Sequence, residues 1–160
     1  MSLFLCGCAY HRVGWNNTPR QVIHVYPVVN NSGQIGINGI LWQQLTKEIS
    51  TCPGFTAGTL AEAEFILYVS IDDFAQSIGT TSPVDSDSVH SYIVTATASC
   101  KLVEKDTRKE FLSTRTTQAV IALPTSPSLI ETKRQAASQI CDTLSKKICN
   151  LLPLAKDQLP

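Results

Sequence analysis

The fold of this chain is constrained most strongly by three long segments, in which apolar side chains alternate with other side chains. The first reads AEFILYVSIDDFAQSIG from position 63, the second SYIVTATASCKLVEKD from position 91, and the third EFLSTRTTQAVIA from position 110. A repeat of two residues is typical of β-strands, because successive side chains point to opposite sides of the backbone. A tight turn over Lys105 to Lys109 joins the last two segments, and the polar stretch from Gly79 to His90 predicts a flexible hairpin loop. The pattern predicts a three-stranded antiparallel meander with one apolar face and one face dominated by Thr and Ser.

A further strand is predicted nearer the start of the chain. The stretch QVIHVYPVV, Gln21 to Val29, is dense in β-branched and aromatic residues. Its alternation predicts that one face carries Ile23, Val25 and Val29. Pro27 cannot donate a hydrogen bond to a neighbouring strand, so we expect an edge strand or an irregularity there.

Two segments have the repeat of an amphipathic helix. In the first, GINGILWQQLTKEISTCPG, the apolar positions recur every four residues, and Pro53 and Gly54 end the helix. Its apolar stripe is Ile37, Leu41, Leu45 and Ile49. Phe55 to Leu60, directly after it, fits a short strand or a turn. The second helix begins after the stretch at positions 123–127. Either Ser126 caps it with Pro127 at the first helical position, or Ser128 and Glu131 form a capping box. Its predicted stripe is Ala137, Cys141, Leu144, Ile148 and Leu151.

These elements predict an α+β fold. We expect a two-layer sandwich, in which a mostly antiparallel sheet of about four strands carries both amphipathic helices on one face. A single domain would span residues 21–152, followed by a C-terminal tail at 153–160. The uncovered sheet face is polar enough to meet water or a partner.

Charge and cysteine spacing argue against several classes of function. Thirteen acidic side chains balance thirteen basic ones, so the composition gives no general attraction to nucleic acid. The six cysteines stand at positions 6, 8, 52, 100, 141 and 149 without a CxxC pair, which disfavours a zinc or thioredoxin-type site. The last four could form disulfides in an exported protein, but each lies in or beside an apolar pattern, which favours buried thiols.

The sequence does not predict an enzyme. Its three histidines are scattered, and it contains neither a Gly-rich phosphate loop nor a Ser-His-Asp signature. Asp72 and Asp73 are neighbours on a strand and would point to opposite faces, so they are not expected to act as an acid and base pair. We therefore predict no catalytic residue, no metal site and no cofactor.

The first residues, MSLFLCGCAYH, resemble the end of a bacterial lipoprotein signal. Leu5-Cys6-Gly7-Cys8 has an aliphatic residue three positions before Cys8 and a small residue immediately before it, as the cleavage enzyme requires. Cys8 is therefore the predicted lipidation site, with residues 1–7 a truncated signal peptide and 8–20 a lipid-anchored leader. Ala9 is compatible with delivery to the outer membrane. The alternative is an apolar N-terminus with two incidental cysteines.

Beyond this motif the chain resembles the LptE family of lipoproteins, which help to assemble lipopolysaccharide in the outer membrane. GCAYHRVG resembles the GCGYH opening of the mature family members, and VIHVYPVVNNS resembles their first strand, with Pro27 followed by Asn30. The first helix, the segment AEAEFILYVSIDDFAQS, the hairpin CKLVEKDTRKEFL and the last helix follow in the family's order. Thr107-Arg108 stands where the hairpin of the family usually has Thr-Gly. The resemblance covers Cys8 to about Leu152.

This resemblance implies a lipid-anchored protein on the periplasmic side of the outer membrane. Family members plug a large β-barrel, LptD, assist its folding and contact lipopolysaccharide, so the implied partners are that barrel, lipopolysaccharide and the membrane. Lipid A is anionic, so basic side chains on the last two strands and their turn are candidate contacts. The candidates are Lys101, Lys105, Arg108, Lys109 and Arg115, with Arg115 the strongest because it lies within a strand among Thr residues. The alternative for each is a solvated charge on an exposed hairpin.

Three other functions fit parts of the sequence. A periplasmic lipoprotein could activate a peptidoglycan synthase or serve a secretion complex, although the short distance from Cys8 to the first strand favours a domain held near the membrane. An enzyme on an α+β scaffold and a cytoplasmic protein that only mimics the lipoprotein motif are the remaining alternatives.

Overall fold

The computed structural model describes residues 20–81, 89–124 and 129–153. They form six strands and two helices. In chain order these are β1 (Gln21–Val25), β2 (Val29–Asn30), α1 (Ile37–Thr51), β3 (Phe55–Ala57), β4 (Phe65–Thr81), β5 (Val89–Glu104), β6 (Glu110–Pro124) and α2 (Leu129–Cys149). The predicted lipidation site Cys8 and the rest of the leader up to position 19 lie outside the described residues. The same holds for the predicted start of α2, at Ser126, Pro127 and Ser128.

The α+β class is confirmed, but the sheet is larger and more mixed than predicted. Its strand order is β3-β1-β4-β5-β6, with β2 paired to β4 beside β1. The predicted meander is present, since β4, β5 and β6 pair antiparallel. In contrast, β1 runs parallel to both of its neighbours, β3 and β4. The chain leaves β1, crosses through α1 and returns as β3, and such a crossover joins parallel strands. The expectation of about four strands was therefore too low, and the parallel pairings of β1 and β2 were not predicted, whereas the longest ladders are antiparallel as predicted.

Both helices pack against the same face of the sheet. The predicted stripe of α1 is confirmed, because Ile37, Leu41, Leu45 and Ile49 are fully buried. In α2 the buried positions include four of the five predicted ones, whereas Leu152 is buried in place of the half-buried Leu151. These side chains form one hydrophobic cluster with the inward side chains of the strands, including Leu67, Ala98 and Leu102. Burial of this apolar surface is the main stabilising contribution to the fold.

An irregularity lies at Pro27, as the sequence predicts, but it changes which valine is buried. Val25 pairs with Leu67 and Val29 with Ser70, so three residues of the first strand oppose two of β4. This bulge shifts the alternation by one position. Val28 is 6% exposed and belongs to the core, whereas Val29, which was predicted to share a face with Ile23, is 54% exposed.

A second bulge lies in β4 at the two aspartates. Ile71 pairs with Ala98 and Asp73 with Thr97, so Asp72 is the extra residue. The Asp72 carboxylate accepts hydrogen bonds from the hydroxyls of Ser70 and Ser99. Ser99 and Thr97 lie two residues apart on β5 and share one face. Both aspartates therefore lie on that face, and the expectation that they point to opposite faces was wrong.

The two strands of the hairpin between β4 and β5 are longer than predicted. β4 extends to Thr81 and β5 begins at Val89, so both strands enter the segment from Gly79 to His90 that was predicted to be a loop. The remaining positions 82–88 lie outside the described residues. The next hairpin agrees with the prediction, since β5 ends at Glu104 and β6 begins at Glu110.

The four cysteines of the described domain form no disulfide with one another. Cys100, Cys141 and Cys149 are buried in the core, and Cys52 is partly buried at the end of α1. The preference for buried thiols is therefore confirmed for these three. Within residues 20–81, 89–124 and 129–153, no helix has the length and apolar character that crossing a membrane would need.

Candidate functional site

The sheet face that does not carry the helices is the candidate functional surface, here called the open sheet face. It is defined by Tyr68, Ser70, Thr97, Ser99 and Lys101, which alternate along β4 and β5 with buried residues. In the part of the chain that the structure describes, neither helix packs on it, since both contribute to the cluster on the opposite face. Its Ser and Thr side chains are half-exposed or exposed, in agreement with the predicted polar face.

A groove opens in this face beside the bulge at Pro27. Its volume is about 240 Å³, and its walls include Tyr26, Pro27 and Val29 on one side and Tyr68 and Lys101 on the other. The rings of Tyr26 and Tyr68 lie with their centroids 5.1 Å apart and tilted by 42°. Tyr26 follows the buried Val25 and points outward by simple alternation, and its N–H donates to the Leu67 carbonyl at 2.9 Å. The bulge that follows keeps Val28 in the core and places Val29 on the groove wall.

A second depression of about 280 Å³ continues the first toward the hairpin turn. It is lined by Tyr68, Lys101, Val103, Arg108 and Glu110, and therefore shares Tyr68 and Lys101 with the first. We call the two together the tyrosine groove. It combines aromatic rings with two cationic side chains, a combination that suits a ligand or partner with both apolar and anionic groups.

Lys101 and Arg108, two of the predicted lipopolysaccharide contacts, are thus brought together in this groove. They differ in their electrostatic surroundings. The Lys101 Nζ lies 2.5 Å from Glu110 Oε1, with side-chain exposures of 38% and 46%, so a neighbouring carboxylate already balances the lysine charge. Within the described residues no carboxylate forms an ion pair with Arg108, which is exposed at the rim.

The hairpin turn that carries Arg108 has an unusual backbone at that residue. Arg108 has a φ of 60°, in the left-handed region that favours glycine, and its N–H donates to the Glu104 carbonyl at 3.1 Å. The hydroxyl of Thr107 donates to the Glu104 carboxylate and accepts the Lys109 N–H at 3.2 Å. This is the position at which the LptE hairpin usually has glycine.

The other basic candidates have different surroundings. The Lys109 Nζ lies 4.9 Å from the ring centroid of Phe111, and that ring packs edge-on against Phe65 in the core. Lys105 contacts the loop before β4, where its Nζ donates to the Ala61 carbonyl at 3.0 Å. The backbone of Arg115 pairs with Cys100 in the sheet, but its side chain lies outside the described residues.

Sequence reasoning missed the two tyrosines of the groove. Tyr26 and Tyr68 are 42 positions apart in the sequence, and the parallel pairing of β1 with β4 brings them together. The sequence contained one signal for this pair, because each tyrosine stands at a position predicted to lie on the polar side of its strand. Along the open sheet face Asp72 and Asp73 lie beyond the groove, whereas Lys101, Arg108 and Glu110 lie at its hairpin end.

Among the described residues, no cluster of three or more His, Cys, Asp or Glu side chains is arranged to hold a metal ion. The burial of Cys141, which donates to the Ile37 carbonyl at 3.8 Å, raises the pKa of its thiol to about 12, so this thiol stays protonated at neutral pH.

Comparison with known proteins bears on the fold. No protein family model and no curated protein matches this chain. A hypothetical protein from Chlamydia trachomatis is similar in structure, with a TM-score of 0.61 and 9% identity over 83% of this chain and 95% of that one. A minor lipoprotein from Acinetobacter baumannii has a TM-score of 0.54 and 12% identity, covering 88% of this chain and 96% of that one. The rare lipoprotein B from Shewanella oneidensis has a TM-score of 0.54 and 9% identity, covering 84% and 97%. The domain therefore has a fold that also occurs in bacterial lipoproteins.

Proposed function

We propose that this chain is a lipid-anchored lipoprotein of the outer membrane, of the LptE type, which plugs and helps to assemble a large β-barrel for lipopolysaccharide insertion. Cys8 carries the lipid anchor in this proposal, and the protein acts without catalysis. The observation that carries the proposal is the open sheet face with its tyrosine groove, on a fold that also occurs in bacterial lipoproteins. The likeness of the N-terminal residues to a lipoprotein signal supports the anchor independently.

The shape of the domain fits a plug. Both helices pack on one side of the sheet, so a broad polar surface of Ser, Thr and charged side chains is left to meet the wall of a barrel. The interior of a large barrel is polar and can be filled by other protein elements. Hydrogen-bonding side chains on both surfaces would then replace the water that each surface loses on docking.

The groove supplies a contact for lipopolysaccharide in this proposal. Arg108 offers a guanidinium to a phosphate, and the rings of Tyr26 and Tyr68 offer apolar surface nearby. Lys101 contributes less, because a phosphate must compete with Glu110 for its ammonium group. Lys109 and Arg115 are secondary candidates, since Lys109 lies over the Phe111 ring.

The test of the plug function is co-purification in mild detergent. The tagged chain, fused to a complete lipoprotein signal before Cys8, is expressed in a host that makes lipopolysaccharide, and its partners are identified. We expect a large outer-membrane barrel protein in stoichiometric amount. A peptidoglycan synthase or a secretion component in its place, with no barrel, would support the alternative lipoprotein function and contradict the plug.

A charge series tests the groove as a lipopolysaccharide contact. Arg108→Ala should weaken binding of purified lipopolysaccharide by about tenfold, the value of one charge-assisted contact. Glu110→Gln should strengthen binding, because it removes a competing carboxylate from Lys101 while keeping the side-chain volume. Gln139→Glu, on the exposed side of α2, is the control and should change little. Unchanged binding in both groove variants would contradict this part of the proposal.

A further inference from the structure

The C-terminal ends of the two helices meet at a pair of cysteines. Cys52 is the residue directly after α1, and its backbone N–H donates to the carbonyls of Glu48 and Ile49 at 3.0 and 3.1 Å. Cys149 is the last residue of α2. The Cys52 Sγ donates to the Cys149 carbonyl at 3.9 Å, and each of the two thiols affects the pKa of the other. A thiol that lies against the backbone of a second cysteine on a separate helix is a starting arrangement for a disulfide, because a disulfide joins cysteines whose Cα atoms are about 4.4 to 6.8 Å apart.

This pair differs from the other two described cysteines. Cys141 is fully buried and Cys100 is 1% exposed, so reagents in solution do not reach them in the folded domain. Cys149 is 3% exposed, but Cys52 beside it is partly exposed and lies where the helix has ended. Cys52 is therefore the accessible member of the pair, and Cys149 lies within its reach.

We propose that Cys52 and Cys149 are a redox-active pair, which a disulfide-donating oxidant converts into a disulfide that joins α1 to α2. Cys52 releases its proton to solvent, and its thiolate attacks one sulfur of the donor disulfide. This attack forms a mixed disulfide and expels one donor thiol. Cys149 then loses its proton, attacks the Cys52 sulfur and expels the second donor thiol. The two cysteines together lose two protons and two electrons, and the donor disulfide is reduced to two thiols.

The local structure permits this step. The two sulfur atoms must approach to about 2.0 Å to form the bond. Cys52 has an extended backbone with φ of −65° and ψ of 133°, outside the helix, so its side chain is less restricted than one within α1. Burial raises the pKa of both thiols, as does the nearby Glu48 carboxylate. Attack by a thiolate is accordingly slow at neutral pH, and the reduced pair persists until an efficient donor is present.

The bond would constrain the unfolded chain strongly. It closes a loop from position 52 to position 149, which contains most of the domain, and a long loop loses much conformational freedom when it is closed. The pair belongs to the helical layer, whereas the tyrosine groove lies on the opposite face of the sheet. The inference is therefore independent of the proposed function.

The test uses the full chain with Cys6→Ser and Cys8→Ser, so that the two N-terminal thiols cannot exchange. The folded protein is incubated with oxidised glutathione, then alkylated under denaturing conditions, digested without reductant and mapped by mass spectrometry. We expect a peptide pair joined through Cys52 and Cys149, with Cys100 and Cys141 alkylated. The midpoint of thermal unfolding should rise by on the order of 10 °C relative to the reduced protein.

Cys52→Ala is the matched control, because it removes the partly exposed thiol with little loss of buried volume. Its thermal midpoint should be the same in oxidised and reduced glutathione. Three results would overturn the proposal: alkylation of both Cys52 and Cys149 after oxidation, a glutathione adduct that stays on Cys52, or a bond from Cys52 to another cysteine.

Discussion

At Arg108 the requirements of the backbone and those of the proposed contact compete. The turn between β5 and β6 needs a residue with a left-handed backbone conformation, and this conformation is less favourable for arginine than for glycine. The same residue is the exposed cation of the tyrosine groove. The backbone strain at this position is consistent with a role for the arginine side chain outside the turn.

Replacing this arginine separates the two requirements. We expect Arg108→Gly to raise the free energy of unfolding by about 1 kcal/mol, because it removes a Cβ from a left-handed backbone. Urea denaturation followed by circular dichroism measures the change. Arg108→Ala removes the same charge but keeps the Cβ, so it should give no such gain. Equal stability of the two variants would mean that the strain at this position is negligible.

At the scale of single elements, the bulge at Pro27 determines what the first strand presents to the core. It exchanges the roles of two adjacent valines, so that Val28 is buried and Val29 is exposed. Val29 therefore lines the groove beside Tyr26. One extra residue in a strand thus completes one wall of the groove.

The two valines offer a matched pair of substitutions that tests this register. Val28→Ala should lower the free energy of unfolding by about 2 kcal/mol, because it leaves a cavity in the core. Val29→Ala should change it by less than about 0.5 kcal/mol, since its side chain is more than half exposed. Chemical denaturation of the two variants in the same buffer measures both values. If Val29→Ala lowered the free energy of unfolding more than Val28→Ala did, the result would indicate simple alternation from Ile23 to Val29 and contradict the bulge.

The elements that sequence predicted well are those with a long, regular repeat. The four-residue spacing from Ile37 to Ile49 identified α1 and its buried stripe, and the two-residue spacing identified β4, β5 and β6. The bulges could not be placed in the same way, because an extra residue leaves no mark in composition. Pro27 indicated an irregularity, yet the pairing with β4 determines which neighbour is buried. At Asp72 the sequence carried no such indication.

The candidate site was only partly predictable, since it depends on contacts between distant segments. Lys101 and Arg108 were found because they share one hairpin. Glu110, which pairs with Lys101, and the two tyrosines were not recognised, because their roles depend on the side-chain arrangement across strands. The strand order β3-β1-β4 depends on a parallel crossover, which joins strands that are distant in the chain. In addition, β3 has only three residues, too few for a periodic signal.

At the scale of the whole molecule, the helices and the open sheet face give the domain two sides of different polarity. One side holds the hydrophobic cluster, and the other presents polar side chains. Val120 lies on the second side, because it pairs with Thr95, whose neighbours Val94 and Ala96 are buried. It is 56% exposed, so we expect a polar side chain at this position to lie in solvent without disturbing the core.

This division predicts which surface a partner covers. Val120→Glu should reduce co-purification of the proposed barrel partner by at least about tenfold, because docking would bury an unpaired carboxylate. Gln139→Glu introduces the same charge on the exposed side of α2 and should leave co-purification unchanged. Quantitative pull-downs on both variants, with thermal midpoints to confirm folding, measure the difference. Loss of the partner only with Gln139→Glu would place the interface on the helical side.

The position of β1 between two parallel neighbours also determines the order in which the domain can assemble. The hairpins of β4, β5 and β6 join segments that follow one another in the chain, whereas the pairing of Ile23 with Phe65 joins residues 42 positions apart. Closing a longer loop costs more chain entropy and slows folding. The meander can therefore form as a template before β1 docks on it. Since Tyr26 reaches its place beside Tyr68 only when β1 docks, we expect the groove to be among the last parts of the molecule to be completed.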